Sequence, residues 1–200
     1  MQVSSSYLDP NAVVHPSTQL GEGCKIWARS HVRENAVIGD DVVVGEGVYI
    51  GSGVKIGSRT KIQNGSQIYD PAVIEEGVFI GPGVILTNDR NPRAINSDGS
   101  KKSQDDWKAV GTHIGFGASI GAGTICISPV KIGEWAFVAA GSVVVNDVEA
   151  FALMAGVPAK RINWVGKMGY PLQKVSEGYF QCPISKEEYR EIDSERLELM

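Results

Sequence analysis

From Leu8 to Leu86 every sixth residue is aliphatic: Val14, Leu20, Ile26, Val32, Ile38, Val44, Ile50, Ile56, Ile62, Ile68, Ile74 and Ile80 fill the steps between. Two residues before each of them stands a small or β-branched residue, as at Cys24, Ser30, Ala36, Val42, Val48, Val54 and Thr60. A glycine often follows the aliphatic position, as in "IGDDVVVGEGVYIGSGVKIGS". In an extended chain residues i and i−2 share a face, so both members of each pair point into one core. Six residues then make a short strand and a corner, where glycine tolerates the bend. Three strands close a triangle, and successive coils stack at about 4.8 Å by pairing their backbones. A helix is excluded, because a period of six carries successive aliphatics around its circumference.

The period stops after Leu86 and resumes in a new phase at Ile114, then Ile120, Cys126, Ile132, Val138 and Val144. The partners at i−2 are Thr112, Ala118, Thr124, Val130, Ala136 and Ser142. Leu86 and Ile114 are 28 positions apart, which is no multiple of six, so a loop is inserted into one coil, over about residues 88–109. The expected fold is all-β, a parallel β-helix over residues 1–162 with one long loop. Residues 163–200 lose the period, and "ISKEEYREIDSERLELM" has helix-forming composition, which predicts a short C-terminal helix and tail. Cys24 and Cys126 fall on inward positions and read as buried small hydrophobes.

Composition narrows the functional classes. A net charge of −4 gives no electrostatic footprint for nucleic acid. The longest apolar run, "WAFVAAGSVVV", is too short to span a bilayer and belongs to the repeat. The N-terminal "MQVSSSYLDPN" has no basic segment followed by an apolar one, so a cytoplasmic location is expected, with no membrane partner. The three cysteines suggest neither a disulfide framework nor a metal site. His15, His31 and His113 lack the spacing of the three zinc ligands of a γ-type carbonic anhydrase, which shares the prism, so no metal is expected.

The repeat array, its loop and the closing "GEWAFVAAGSVVVNDVEAFALMAGVPAKRI" resemble the hexapeptide-repeat acyltransferases. That resemblance implies a left-handed β-helix, a homotrimer, and acetyl-CoA bound between neighbouring prisms. More narrowly, "KIQNGSQIYDPAVIEEGVFIGPGVILTNDRNPRA" resembles the N-acetyltransferases of nucleotide-linked amino sugars. With "FALMAGVPAKRINWVGKMG" and a late "CP", the likeness is greatest to enzymes that acetylate the 3-amine of UDP-2-acetamido-3-amino-2,3-dideoxyglucuronate for lipopolysaccharide O-antigen. Enzymes acting on dTDP-3-amino-deoxyhexoses, and O-acetyltransferases of the same fold, remain as alternatives.

The resemblance also implies roles. Asn88, in "TND", would hold the attacking amine through its side-chain oxygen, or else serve only as a turn residue. Asp89 stands beside it. A uronate needs a cation, which Arg93, Arg90 or Arg29 would supply. Lys61, Gln63 and Asn64 sit at a corner where the expected glycine is replaced, and Tyr69 and Glu75 follow aliphatic positions in the same way; each is a ligand contact or a solvated corner. His31 and His113 occupy outward positions as solvated or trimer-face residues or as bases, and His31 is also a candidate substrate contact. Gly123, Ala140 and Gly141 would line the thioester, and Lys160 and Arg161 would take the phosphates of acetyl-CoA or simply begin the tail.

Overall fold

The computed structural model describes residues 5–200; residues 1–4 of the expected β-helix domain lie outside the described residues. The fold is the left-handed parallel β-helix, all-β in class. Two-residue strands rotate among three faces. The first face begins with Tyr7–Leu8, Lys25–Ile26 and Val43–Val44, the second with Val13–Val14, His31–Val32 and Tyr49–Ile50, the third with Gln19–Leu20, Val37–Ile38 and Lys55–Ile56. Register advances by eighteen residues per coil, as in Tyr7 opposite Lys25 and Ile50 opposite Ile68.

The interior is the aliphatic column that the period requires. Ile26, Ile50, Ile62, Ile68 and Ile80 are fully buried, each worth about 1.5–3 kcal/mol of burial. The small column beside it carries hydroxyls; several bond in a regular way, while Thr112 Oγ1 and Ser142 Oγ are buried without a partner among the described residues. Ser30 Oγ donates to the Gly45 carbonyl at 2.7 Å, Thr60 Oγ1 to Glu75 at 3.1 Å, and Ser66 Oγ to Gly81 at 2.9 Å. Each acceptor lies fifteen residues on, in the next coil, so these three polar residues enter the core without an unpaired donor. Cys24 and Cys126 are buried as expected, and burial pushes the Cys126 thiol up to about 12, so it holds no thiolate.

The loop leaves between the second and third faces. Ile74 pairs with Ile114 across forty residues where the rungs below are separated by eighteen, so twenty-two residues are inserted. The prism resumes in register above it, with His113 opposite both Val73 and Lys131. Gly111 makes the return possible. A Cβ there would lie 2.5 Å from the Pro71 carbonyl oxygen, so only glycine lets the chain press back onto the wall.

The prism ends where Ala152–Gly156 joins the first face and then pairs antiparallel with Ala159–Trp164. Here the expectation of a C-terminal helix is corrected. Among the described residues the only helical turn is Gln104–Asp106, and the tail forms four antiparallel strands: Gln173–Ser176, Tyr179–Gln181, Glu188–Asp193 and Arg196–Leu199. Single apolar residues buried within otherwise exposed strands, Phe180, Tyr189 and Leu197, close a small core with Leu172 and Cys182. That packing overrides the helical propensity of the Glu- and Arg-rich segment. The unit is docked to the prism by Trp164 Nε1 donating to Glu191 at 2.9 Å and by Phe151 against Tyr189. No helix among the described residues is long and apolar enough to cross a membrane.

Candidate active site

The residues singled out from the sequence fall on three corners of the prism and its closed end. The corner between the second and third faces holds Tyr69, Asn88, Asp89 and the loop. The corner between the first and second faces holds Arg29, Gln63, Asn64, Gly123, Ala140 and Gly141, with Lys61 beside it on the first face. Glu75 lies at the corner between the third and first faces, and His113 on the adjoining third face.

At the loop corner, stacking of coils builds an aromatic column on and beside the second face. His31 meets Tyr49 edge-on with centroids 5.9 Å apart, and Tyr49 meets Tyr69 at 5.3 Å. Arg33 forks onto Glu34 at 2.7 and 2.9 Å, which holds that carboxyl down at about 2, and also reaches the Tyr49 hydroxyl. The loop root sits above this column. Asp89 Oδ1 accepts from the Asn91 N–H at 2.8 Å, so Asp89 forms the turn. Asn88 contributes its carbonyl to the Val110 N–H at 3.0 Å, which clasps the two ends of the loop. Its half-buried side chain makes no hydrogen bond to another described residue. The turn-former and the uncommitted amide are therefore adjacent but different residues. Arg90 and Arg93 are exposed further along the loop, Arg93 donating to the Pro92 carbonyl at 3.1 Å.

The corner between the first and second faces changes character along the axis. Low on it, Trp27, Val43, Gln63 and Asn64 line a groove of about 420 Å³. Arg29 is paired with Glu46 of the next coil, and Asn64 Oδ1 accepts from the Glu46 N–H at 3.0 Å. Higher up, side chains shrink to Gly81, Pro82, Gly83, Gly121, Ala122, Gly123, Ala139, Ala140 and Gly141. The N–H groups of Gly123 and Gly141 are already donated to Pro82 and Ala122 at 2.8 Å. Those of Ala122 and Ala140, at the middle of their turns, have no partner among the described residues. In lower coils a side chain from the next turn accepts that bond, as Asp40 does for Glu22. This strip thus holds N–H groups that no neighbouring side chain takes up, the kind of donor that an oxyanion needs.

Glu75 and His113 are brought together although 38 positions separate them: Glu75 Oε1 and His113 Nε2 lie 2.8 Å apart, and Glu75 Oε2 accepts from the Phe116 N–H at 2.9 Å. Removing the twenty-two inserted residues places His113 one coil above Val73, so this pair was recoverable from register. At the far end Arg161 is engaged within the chain. It lies 4.0 Å over the Trp164 ring, contacts Glu149 at 4.0 Å, and donates to the Ser194 carbonyl at 2.5 Å. Lys160 is exposed. Sequence reasoning passed over Lys101, Lys102 and Trp107, because neighbouring acids in "KKSQDDW" make the stretch look like an ordinary solvated loop.

Two profiles of the hexapeptide repeat match the chain: the bacterial transferase hexapeptide over residues 17–52 and 53–88, and the hexapeptide repeat of succinyl-transferase over 35–70 and 110–145. Among curated proteins, the bifunctional protein GlmU of Aquifex aeolicus is 34% identical over 79 residues, 40% of this chain and 15% of that protein. The 2,3,4,5-tetrahydropyridine-2,6-dicarboxylate N-acetyltransferase of Enterococcus faecalis is 50% identical over 46 residues, 23% of this chain and 20% of that one. The chain thus spans a fifth or less of the length of these relatives. Among solved structures, the acetyltransferase domain of PglB from Neisseria gonorrhoeae, in complex with acetyl coenzyme A, superposes with a TM-score of 0.52. It is 21% identical, and the match covers 80% of this chain and 58% of that one, which speaks for the fold alone. Together the two profiles cover residues 17–88 and 110–145, more than half of the chain, and the protein belongs to the hexapeptide-repeat acyltransferase family.

Proposed function

We propose that this protein transfers the acetyl group of acetyl-CoA to the 3-amine of a nucleotide-linked amino sugar, UDP-2-acetamido-3-amino-2,3-dideoxyglucuronate, in lipopolysaccharide O-antigen synthesis. The observation that carries this is the division of labour at the loop root. Asp89 makes the turn, and Asn88 keeps a side-chain oxygen available to accept from an amine. With one N–H held there, the nitrogen lone pair points at the thioester. Attack forms the C–N bond and places negative charge on the former carbonyl oxygen, which the N–H groups of Ala140 or Ala122 suit. Collapse breaks the C–S bond, and the departing sulfur takes the proton from nitrogen, leaving an amide and CoA thiol. Gly123 and Gly141 then serve by their small size rather than by their N–H groups.

The loop corner and the glycine-rich corner belong to different edges of one prism. A homotrimer places an edge of one subunit beside a face of its neighbour and would unite them, with acetyl-CoA between prisms. The test is release of free thiol from acetyl-CoA by the purified protein, offered the UDP-linked 3-amino uronate and a dTDP-3-amino-deoxyhexose in turn. Turnover of the first above the second is expected; turnover of neither overturns the assignment.

One observation favours a second activity. The Glu75–His113 pair is a carboxylate-oriented imidazole, and a hydroxyl, unlike an amine, must lose its proton as it attacks. O-acetylation of a sugar with loss of activity in His113→Asn would identify that chemistry instead.

A further inference from the structure

The loop has its own internal frame. Ile95 and Lys101 form an antiparallel bridge, and the Asn96 N–H donates to the Ser100 carbonyl at 2.8 Å. Ser103 and Asp106 form a capping box, and the Asn96 side chain donates to both Ser100 and Asp106. These contacts engage two of the loop's acids, Asp98 and Asp106, and leave the Asp105 carboxylate exposed. Asp98 accepts from the Ser100 N–H at 2.9 Å and Asp106 from the Ser103 N–H at 2.7 Å, and both carboxyls are held below the ordinary aspartate range by their bonds to these serines. The cations are not consumed. No ion pair among the described residues involves Arg93, Lys101 or Lys102.

Those three cations, with Ser103, Gln104 and the exposed indole of Trp107, line an open groove of about 630 Å³. Its single carboxylate, Asp89, already accepts a backbone bond at the loop root. Three cations and a flat aromatic face suit a ligand that is both polyanionic and aromatic.

We propose that the inserted loop is a binding site for a nucleoside diphosphate, its phosphates on Arg93, Lys101 and Lys102 and its base against Trp107. The site rests on the proposed activity, in which both substrates carry that chemistry: the nucleotide of the acceptor sugar and the adenosine diphosphate end of CoA. Of the two cations expected for CoA phosphates, Lys160 is exposed and Arg161 is drawn to Ser194, Trp164 and Glu149, so the loop, with three cations, is the larger free basic surface.

Calorimetric titration of the full chain with UDP, dTDP and CoA tests it, using wild type, Lys101→Gln/Lys102→Gln, and Trp107→Leu. Loss of two charge-assisted contacts should weaken at least one probe about tenfold or more, with thermal melting unchanged. Weakening of UDP or dTDP alone assigns the groove to the acceptor, and weakening of CoA alone assigns it to the donor. Unchanged affinity for all three probes in both variants overturns the site, as does a wild-type chain that binds none. The two proposals fail separately. A chain that acetylates the amino sugar but binds nucleotides identically in the variants keeps its activity and loses this site. A chain that binds UDP through the loop yet acetylates nothing keeps the site and loses the activity.

Discussion

In the prism a residue's partner lies eighteen positions away; in the loop its partners lie mostly two to ten positions away. Val43 pairs with Lys61 and Ile50 with Ile68, whereas Asp89 bonds Asn91, Asp98 bonds Ser100, and Ser103 and Asn96 both bond Asp106. The prism is held by apolar burial and rung-to-rung backbone pairing, the loop by side chains bonding to nearby backbone. Stability and chemistry are thereby assigned to different segments of one coil. Altering the loop should change rate and binding with little effect on melting, and altering the prism interior should do the reverse.

The largest effect is expected inside. Ile62 is fully buried and stacked between Val44 of the coil below and Ile80 of the coil above, on the first face. Ile62→Ala should cost about 2–5 kcal/mol in denaturant unfolding. A loss below about 0.5 kcal/mol, within the range of surface substitutions, would mean that the column does not carry the fold.

At the loop root the balance should invert. Asn88→Ala should lower kcat/KM about ten- to a thousandfold, roughly 1.4–4 kcal/mol of transition-state stabilisation, with acetyl-CoA binding and melting temperature near wild type. His31 and His113 variants should lose less with an amine acceptor. The reverse ranking, a near-normal Asn88→Ala beside an inactive His113→Asn, would assign the chemistry to the Glu75–His113 pair. Size should be measured on the same sample, because dissociation of an oligomer would make the loss structural.

Gly111 stands at the seam between the two regimes, and Gly111→Ala should therefore affect both. A Cβ 2.5 Å from the Pro71 carbonyl oxygen must push the returning strand off the wall, at a cost of about 1–3 kcal/mol. The same shift would move Val110 and its bond to Asn88, so rate should fall together with stability. A variant that loses stability alone would show that the clasp does not position Asn88.

The same division explains what the sequence disclosed. A wall in which every sixth residue meets the same environment repeats its signal, so Ile26 through Leu86 announced the faces, and the gap of 28 positions measured the loop. Asn88 was singled out as a candidate by its place in "TND", the segment that resembles the amino-sugar N-acetyltransferases, at the root of the inserted loop. Contacts made once carry no such redundancy. The tail strands rest on single residues such as Tyr189 and Leu197, too few to outweigh helical composition in "EEYREI". Arg29 reads as a free cation until Glu46 is placed beside it by the next coil, and Arg161 until the tail folds back to bring Ser194. The bonding of Asp98 and Asp106 to nearby serines, with Arg93, Lys101 and Lys102 left out of ion pairs among the described residues, depends on turn geometry that composition does not encode.

The smallest expected effect is also the most selective. Asp106 is fully exposed, and its carboxyl is held below the ordinary aspartate range, first by the Ser103 N–H and then by the Asn96 amide. A depressed folded pKa means that the contribution of this carboxylate is complete above the unfolded aspartate value and is lost as pH falls through the folded one. Asp98, held down by Ser100, follows the same sign. Among the described residues the interior of the prism has no carboxylate to titrate, since its buried residues are aliphatics, small residues, hydroxyls and thiols. Acidification below the ordinary aspartate range should therefore loosen the loop while the β-helix persists. Protection of the amides of residues 96–106, taken against the intrinsic exchange rate at each pH, should fall as pH falls, while protection at Ile50, Ile62 and Ile68 does not. Asp106→Asn, which keeps an acceptor oxygen but cannot titrate, should flatten that response. Loop and prism amides losing protection together, at one pH, would show that the inserted segment and the wall form one cooperative unit.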